Sequence, residues 1–290
     1  MNVPVLKINA FTDLKKGGNP AGVVIDAPAL SEHQMKAISK KLQVSETAFL
    51  FPSSQADYHV RFFSPAVEVD LCGHATIATF FTLAEQGILP RNKLVVTQET
   101  KAGILPVNII RNQNEALQRV MMTQGKPVLK NVNLDLPLLA DALKISIHDI
   151  NTSLPSQIVS TGLFTLPLCV NSFEVLRTMT PDFKKIKDLC LRYKVGSIHV
   201  FTFHPLEKTS VYHARNFAPP YGINEDPVTG TANGAVCWYL HTQNLLKTNS
   251  VICEQGDIIG RPGRVVVEIT SDTVKVGGRA TLYKKFACSV

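Results

Sequence analysis

The chain has 290 residues, of which 45% are hydrophobic and 18% charged. That composition belongs to a folded globular protein long enough for two domains with separate cores, and it excludes a disordered or fibrous chain. The net charge of +7 is spread in Lys/Arg runs no longer than a pair (Lys15-Lys16, Lys40-Lys41, Lys184-Lys185, Lys284-Lys285). No basic stripe interleaves with aromatics, which argues against a nucleic-acid partner and fits small anionic ligands. The six cysteines show no C-x-x-C pair and no zinc spacing, so no metal is expected. Residues 1–11 lack the layout of a secretory leader, and no apolar run is long enough to span a bilayer. The expectation is a reduced, cytoplasmic setting with no membrane partner.

In chain order, residues 3–11 alternate as a strand, and a Lys/Gly-rich loop follows. Asn19-Pro20-Ala21-Gly22 reads as a turn into the strand Val23-Val24-Ile25. Ser31, with Gln34 three residues on, is a capping-box signature for a helix to about Leu42 that carries Met35, Ile38 and Leu42 on one face. Residues 44–51 form an apolar strand with a single carboxylate, Glu46. Another strand, 58–63, stops at Ser64-Pro65, and a helix begins at Gly73. Residues 93–97, 103–110 and 119–123 read as strands. Residues 124–136 hold no strong periodic signal. They are the expected crossing between an N-terminal half (1–123) and a C-terminal half (137–290), whose last residues can pack back on the first half.

The second half opens with a short helix over 137–143 and a second start at 147–150. Strands are expected at 158–160 and 165–170, an amphipathic helix at 181–193, and strands at 197–203 and 211–216. After a helix beginning at Gly230, strands are expected at 251–253, 264–269, 273–276 and 280–286. So many strands per helix predict two α+β units rather than a doubly wound parallel sheet. There is no G-x-G-x-x-G and no P-loop to support a nucleotide site.

The two halves echo each other. Setting Gly73 on Gly230 without gaps aligns Ala75 with Ala232, Ala78 with Ala235, Leu83 with Leu240 and Gln86 with Gln243. Further on, Gln98 meets Gln255, and Phe63-Ser64-Pro65 meets Phe217-Ala218-Pro219 once three loop residues are allowed. A fixed-offset echo of this length marks an internal duplication into two half-domains. In each half a glycine stands where the chain enters a helix, a place where backbone N–H groups can receive a carboxylate or phosphate.

Three side chains near these helix starts carry candidate chemistry. His74 stands beside Gly73, and the echoed loop carries Asp226 and Thr231. Glu46, if it faces an apolar interior, is raised in pKa by desolvation and suits a proton shuttle. Asp226 lies just before a helix, where a carboxylate is also favoured simply by the dipole. Cys72 stands at the helix start, but its echo is Thr229, so a two-thiol acid/base pair is unsupported and Cys72 reads as a packed thiol.

Gly18-Asn19-Pro20-Ala21-Gly22, Ser45-Glu46-Thr47-Ala48-Phe49, Asp70-Leu71-Cys72-Gly73-His74-Ala75-Thr76 and Glu225-Asp226-Pro227-Val228-Thr229-Gly230-Thr231-Ala232, in this order, resemble the PhzF-like family of phenazine-biosynthesis-type isomerases, in its uncharacterised bacterial branch. The resemblance implies a diaminopimelate-epimerase-like α+β fold, with two halves each wrapping a curved sheet around a central helix and the active site in the cleft between them. It implies proton transfer between carbons of a small carboxylic acid without cofactor or metal, with Glu46, His74 and Asp226 as catalytic residues. Asn19, Ser45, Cys72, Gly73, Gly230 and Thr231 form the implied substrate-binding set. A homodimer is implied by the family alone. Thr231 stands where the family often has serine. A two-lobed carboxylate-binding protein without turnover and a racemase or epimerase acting at an α-carbon are the alternatives.

Overall fold

The computed structural model describes residues 2–290, which divide into two compact units, 2–123 with 277–290 and 124–276. In the first unit β1 (Asn2–Ala10) pairs antiparallel with β2 (Asn19–Val24). Asn19-Pro20-Ala21-Gly22, expected as a turn, is therefore already strand. Pro20 fits because it lies near the start of β2, ahead of the pairing with β3, which begins at Ala21. Helix α1 (Glu32–Leu42) follows, with the Ser31/Gln34 capping box formed in both directions. Its buried Met35, Ile38 and Leu42 pack with Val3, Val5 and Phe49, each such side chain contributing about 1.5–3 kcal/mol of burial.

The chain then runs through β3 (Glu46–Phe51), parallel to β2, and β4 (Tyr58–Phe63), antiparallel to β3. The short β5 (Glu68–Val69) leads to α2 (Gly73–Glu85). After α2 come β6 (Val95–Thr100), parallel to β4, then β7 (Gly103–Arg111) and β8 (Leu117–Thr123) as antiparallel neighbours. Every residue of α2 from Ala75 to Ala84 is buried, and it packs on β1, β2, β3, β7 and β8. A helix apolar on all sides has to be a core element. It is the axis of this unit.

The second unit begins with β9 (Val128–Asn131), which lies within the stretch where no element was expected. Its alternation is too short and too polar to be read from sequence. Helix α3 (Leu136–Leu143) precedes β10 (Gln157–Ser160), β11 (Phe164–Cys169) and a short α4 (Phe173–Thr178), which the sequence reading missed. Then come α5 (Phe183–Tyr193), capped by Asp182, β12 (Ser197–Thr202), β13 (Ser210–Ala218) and β14 (Ile223–Asp226). Helix α6 (Gly230–Thr242) leads to β15 (Ser250–Gln255), β16 (Gly263–Ile269) and β17 (Val274–Gly278), whose last two residues belong to the first unit. The final strand β18 (Ala280–Ser289) belongs to the first unit, where it pairs antiparallel with β1.

The pairing directions repeat. Strands β10 to β13 and β15 are joined antiparallel, parallel, antiparallel and parallel, as are β1 to β4 and β6. Helix α6, buried from Ala232 to Cys237 and packed on β10, β11, β12 and β16, is the counterpart of α2. Helices α3 and α5 pack Leu139, Leu143, Ile186 and Leu189 against Ile198, Val200 and Phe217 in one core cluster of the second unit. Among the described residues, no helix is long and apolar enough to cross a membrane.

Candidate active site

The first unit gathers Ser45, Glu46, Cys72, Gly73 and His74 at the start of α2. Glu46 is the first residue of β3, aligned with Ala21 across the parallel pair. The chain reaches it from a left-handed Gln43 (φ 50°) that ends α1. Cys72 is the N-cap of α2, in extended conformation and with no side-chain cap of its own, so its thiol points elsewhere. That thiol lies 3.6 Å from Glu46 Oε2, to which it donates, and 3.4 Å from His74 Nδ1. His74 Nε2 stands 3.4 Å from Glu46 Oε2 and 3.1 Å from Ser45 Oγ. The Glu46 and His74 side chains are 20% and 12% exposed, so the carboxylate is reachable yet largely withdrawn from water.

A Cβ at Gly73 would meet only Met122 Sδ, at 3.6 Å. Neither a positive φ nor close packing demands glycine there. Asn19 opens β2 two residues before Ala21 and is buried. Cys72 was read as a packed thiol. It is buried, but it also touches both Glu46 and His74, a placement no sequence spacing reveals.

The second unit has its own constellation at the start of α6. Asp226 ends β14 and accepts a hydrogen bond from Thr229 Oγ1. Gln255, at the end of β15, donates to Asp226 O at 2.8 Å and to Thr229 Oγ1 at 3.2 Å, and accepts from Thr229 N at 3.0 Å. Asn233 on α6 donates to Gln255 Oε1 at 2.8 Å and to Thr229 O at 2.9 Å, and its own Oδ1 accepts from Tyr212 at 2.8 Å. Gly230 and Thr231 are the first two residues of α6, with Thr231 O accepting from Thr161. Gln255, Asn233 and Tyr212 were not chosen from sequence as site residues. The Gln98/Gln255 echo was the available signal: Gln98 meets Thr76 on α2, the echo of Asn233 on α6.

Cys72 and Thr229 occupy the same position, N-cap of the central helix, in the two units. The second unit's thiols lie deeper. Cys237 and Cys253 are fully buried, 3.3 Å apart, and burial holds the Cys253 thiol well above its ordinary range. A thiol so placed is a poor base for substrate. Among the described residues, Glu46, Cys72 and His74 form a group of potential metal ligands, their donor atoms within 4.8 Å of one another.

The sequence profile of phenazine biosynthesis-like proteins (PhzC-PhzF) matches residues 8–285. The chain belongs to this family. A Bacillus subtilis relative named as the uncharacterised isomerase YfhB is 39% identical over 266 residues, covering 91% of this chain and 90% of the relative. The crystal structure of a Bacillus anthracis phenazine biosynthesis protein of the PhzF family superposes with a TM-score of 0.93 at 34% identity, covering 100% of both chains. A hydroxyproline epimerase from Agrobacterium vitis shares the fold at 14% identity, with a TM-score of 0.61 over 99% of this chain and 91% of that one. The PhzF-family chain thus has the expected α+β, diaminopimelate-epimerase-like fold, in company with proteins named isomerases and epimerases.

Proposed function

We propose that this chain is a cofactor-independent isomerase that moves a proton between two carbons of a small carboxylic acid, with Glu46 as the acid/base. The observation that carries the reading is the position of Glu46: a mostly buried carboxylate, 3.4 Å from His74 Nε2, beside an unobstructed helix start. Glu46 removes a proton from one carbon. The C–H electron pair then moves into the adjacent unsaturated system, and the same carboxyl group returns the proton at a second carbon. Atoms balance without redox change. His74 stabilises the enolate-like charge as it develops, and the uncapped start of α2 favours the substrate carboxylate.

Asp226, Gly230 and Thr231 are proposed, on the family resemblance, to hold substrate. The Gln255–Asn233 bridge supports this by fixing the Asp226–Thr229 turn. Racemisation by two thiols is disfavoured because Thr229, not cysteine, caps α6.

The test is a mass-spectrometric screen of carboxylate metabolites in D2O with wild type and Glu46→Gln. Wild type should carry deuterium into a compound, and the variant should lose at least about a hundredfold in labelling rate. Equal labelling by both proteins moves the base elsewhere and sinks the proposal. No labelling, with a compound raising Tm of both proteins, favours a binding protein without turnover.

A further inference from the structure

Helix α6 and strand β15 are joined by two successive rungs. In the first, Asn233 Nδ2 donates to Gln255 Oε1 at 2.8 Å, and in the second, Cys237 Sγ lies 3.3 Å from Cys253 Sγ. Cys237 stands one helical turn beyond Asn233, and Cys253 stands two residues before Gln255. Tyr212 links the rungs, its hydroxyl donating to Asn233 Oδ1 at 2.8 Å and accepting from Cys237 Sγ at 3.8 Å. We propose that Cys237 and Cys253 form a reversible disulfide under hydrogen peroxide, which clamps α6 to β15 next to the bridge that holds the Asp226–Thr229 turn. Packing by itself does not call for sulfur at this rung. With Gly73 set on Gly230, the counterparts of the two cysteines are Phe80 and Val96, which are also fully buried. Two thiols in contact add a chemistry that the apolar pair lacks.

The reaction has two steps. One thiol first attacks peroxide: an S–O bond forms, the O–O bond breaks, and water leaves. The neighbouring thiol then attacks that sulfenic sulfur. The S–S bond forms, the S–O bond breaks, and the thiol proton departs with hydroxide as a second water. Two electrons and two protons pass from the thiols to peroxide. At 3.3 Å the second step begins at near-attack distance, so closure outruns further oxidation of the sulfenic acid. A disulfide holds its sulfurs about 2.0–2.1 Å apart, which leaves an approach of about 1.2 Å to divide between the two residues. Both thiols are fully buried, and burial holds Cys253 protonated well above its ordinary range. The first step therefore waits on local opening, and the pair answers sustained rather than brief peroxide. The two positions are 16 apart in sequence, so the bond removes chain entropy from the unfolded state and should raise Tm.

Any effect on substrate rests on the proposed role of Asp226, whereas the disulfide rests on geometry alone. The experiment treats the reduced full-length protein with hydrogen peroxide under native conditions, blocks free thiols in denaturant, and digests with trypsin without reductant. Cys237 and Cys253 fall in separate tryptic peptides, 216–247 and 248–264, each with one cysteine. The expected product is these two peptides joined, two hydrogens lighter than their reduced sum and separated by dithiothreitol. The oxidised protein should melt at least about 4 °C higher than the reduced one, and dithiothreitol should reverse the rise. Cys253→Ala keeps the rung apolar, and its Tm should not rise with peroxide. Two free thiols in the folded, peroxide-treated protein overturn the proposal, as does pairing of either one with another cysteine. An unchanged or lowered Tm of the linked protein, or a rise in Cys253→Ala, overturns the clamp. No substrate is used, so failure here leaves the isomerase reading standing, and failure of the labelling screen leaves the disulfide standing.

Discussion

Arg61 grips Glu68 side-on, Nε to Oε1 at 2.8 Å and Nη2 to Oε2 at 2.9 Å, while its cation lies over the Phe63 ring. Arg215 does the same to Glu225 at 2.9 and 2.8 Å, over Phe217. In both units this pair ties the strand before the central helix to the strand that leads into it. A bidentate pair is the strong form of an Arg–carboxylate contact.

The Arg61 guanidinium, with burial opposing it and Lys101 assisting, lowers Glu68 from 4.5 to about 2. Because the folded pKa is depressed, the ionised pair stabilises the fold above the unfolded value of 4.5, and that contribution fades as pH falls toward about 2. Glu68→Gln should therefore cost up to about 3 kcal/mol at pH 7. The gap between wild type and variant should narrow steadily between about pH 5 and pH 2 in urea denaturation. A gap that stays constant with pH would show that the carboxylate charge is not the source.

Gln255 and Gln98 hold equivalent places but unequal networks. Gln98 shares only long contacts of 3.4 and 3.5 Å with Thr76, whereas Gln255 bridges Asp226, Thr229 and Asn233. Removing Gln255 strands several buried polar groups, each worth about 1–3 kcal/mol. Gln255→Leu should thus lower the urea midpoint clearly more than Gln98→Leu does. Equal losses would mean the bridge contributes little.

Two glycines with positive φ should respond differently to alanine. Gly256 has φ +91°, and a Cβ there falls 2.2 Å from Arg261 O and 2.6 Å from Pro227 O. Since both atoms are backbone and Pro227 adjoins Asp226, Gly256→Ala should cost about 3 kcal/mol or more and disturb the turn. Gly103 has φ +110° with nothing within 4 Å of the added atom, so Gly103→Ala should cost only about 1–2 kcal/mol of backbone strain. Thermal melts of the two variants give the comparison. The prediction fails if Gly103→Ala is the worse.

The duplication was legible in the chain itself, because Gly73 and Gly230, Phe-x-Pro and the paired glutamines recur at a nearly fixed spacing. The Ser31/Gln34 capping box was legible for the same local reason: its donors and acceptors lie three residues apart. Motif order over the whole length was enough for the family and hence the fold. The short β9 and α4 escaped, since four or six residues give too little periodicity to outweigh their polar neighbours.

Sequence by itself could name Glu46, Cys72 and His74, but not the distances among them. Glu46 and Cys72 are 26 residues apart, and they meet because Thr47 pairs with Phe63 and Phe63 with Glu68, so that β3 starts beside the strand that leads into α2. The same holds for Asp226 and Gln255, joined across 29 residues by a single amide. Residue type and spacing record what a local segment can do. Which side chains share a site depends on strand pairing and helix packing between distant segments, and in this protein the tertiary structure alone turned a packed thiol into a neighbour of the proposed base.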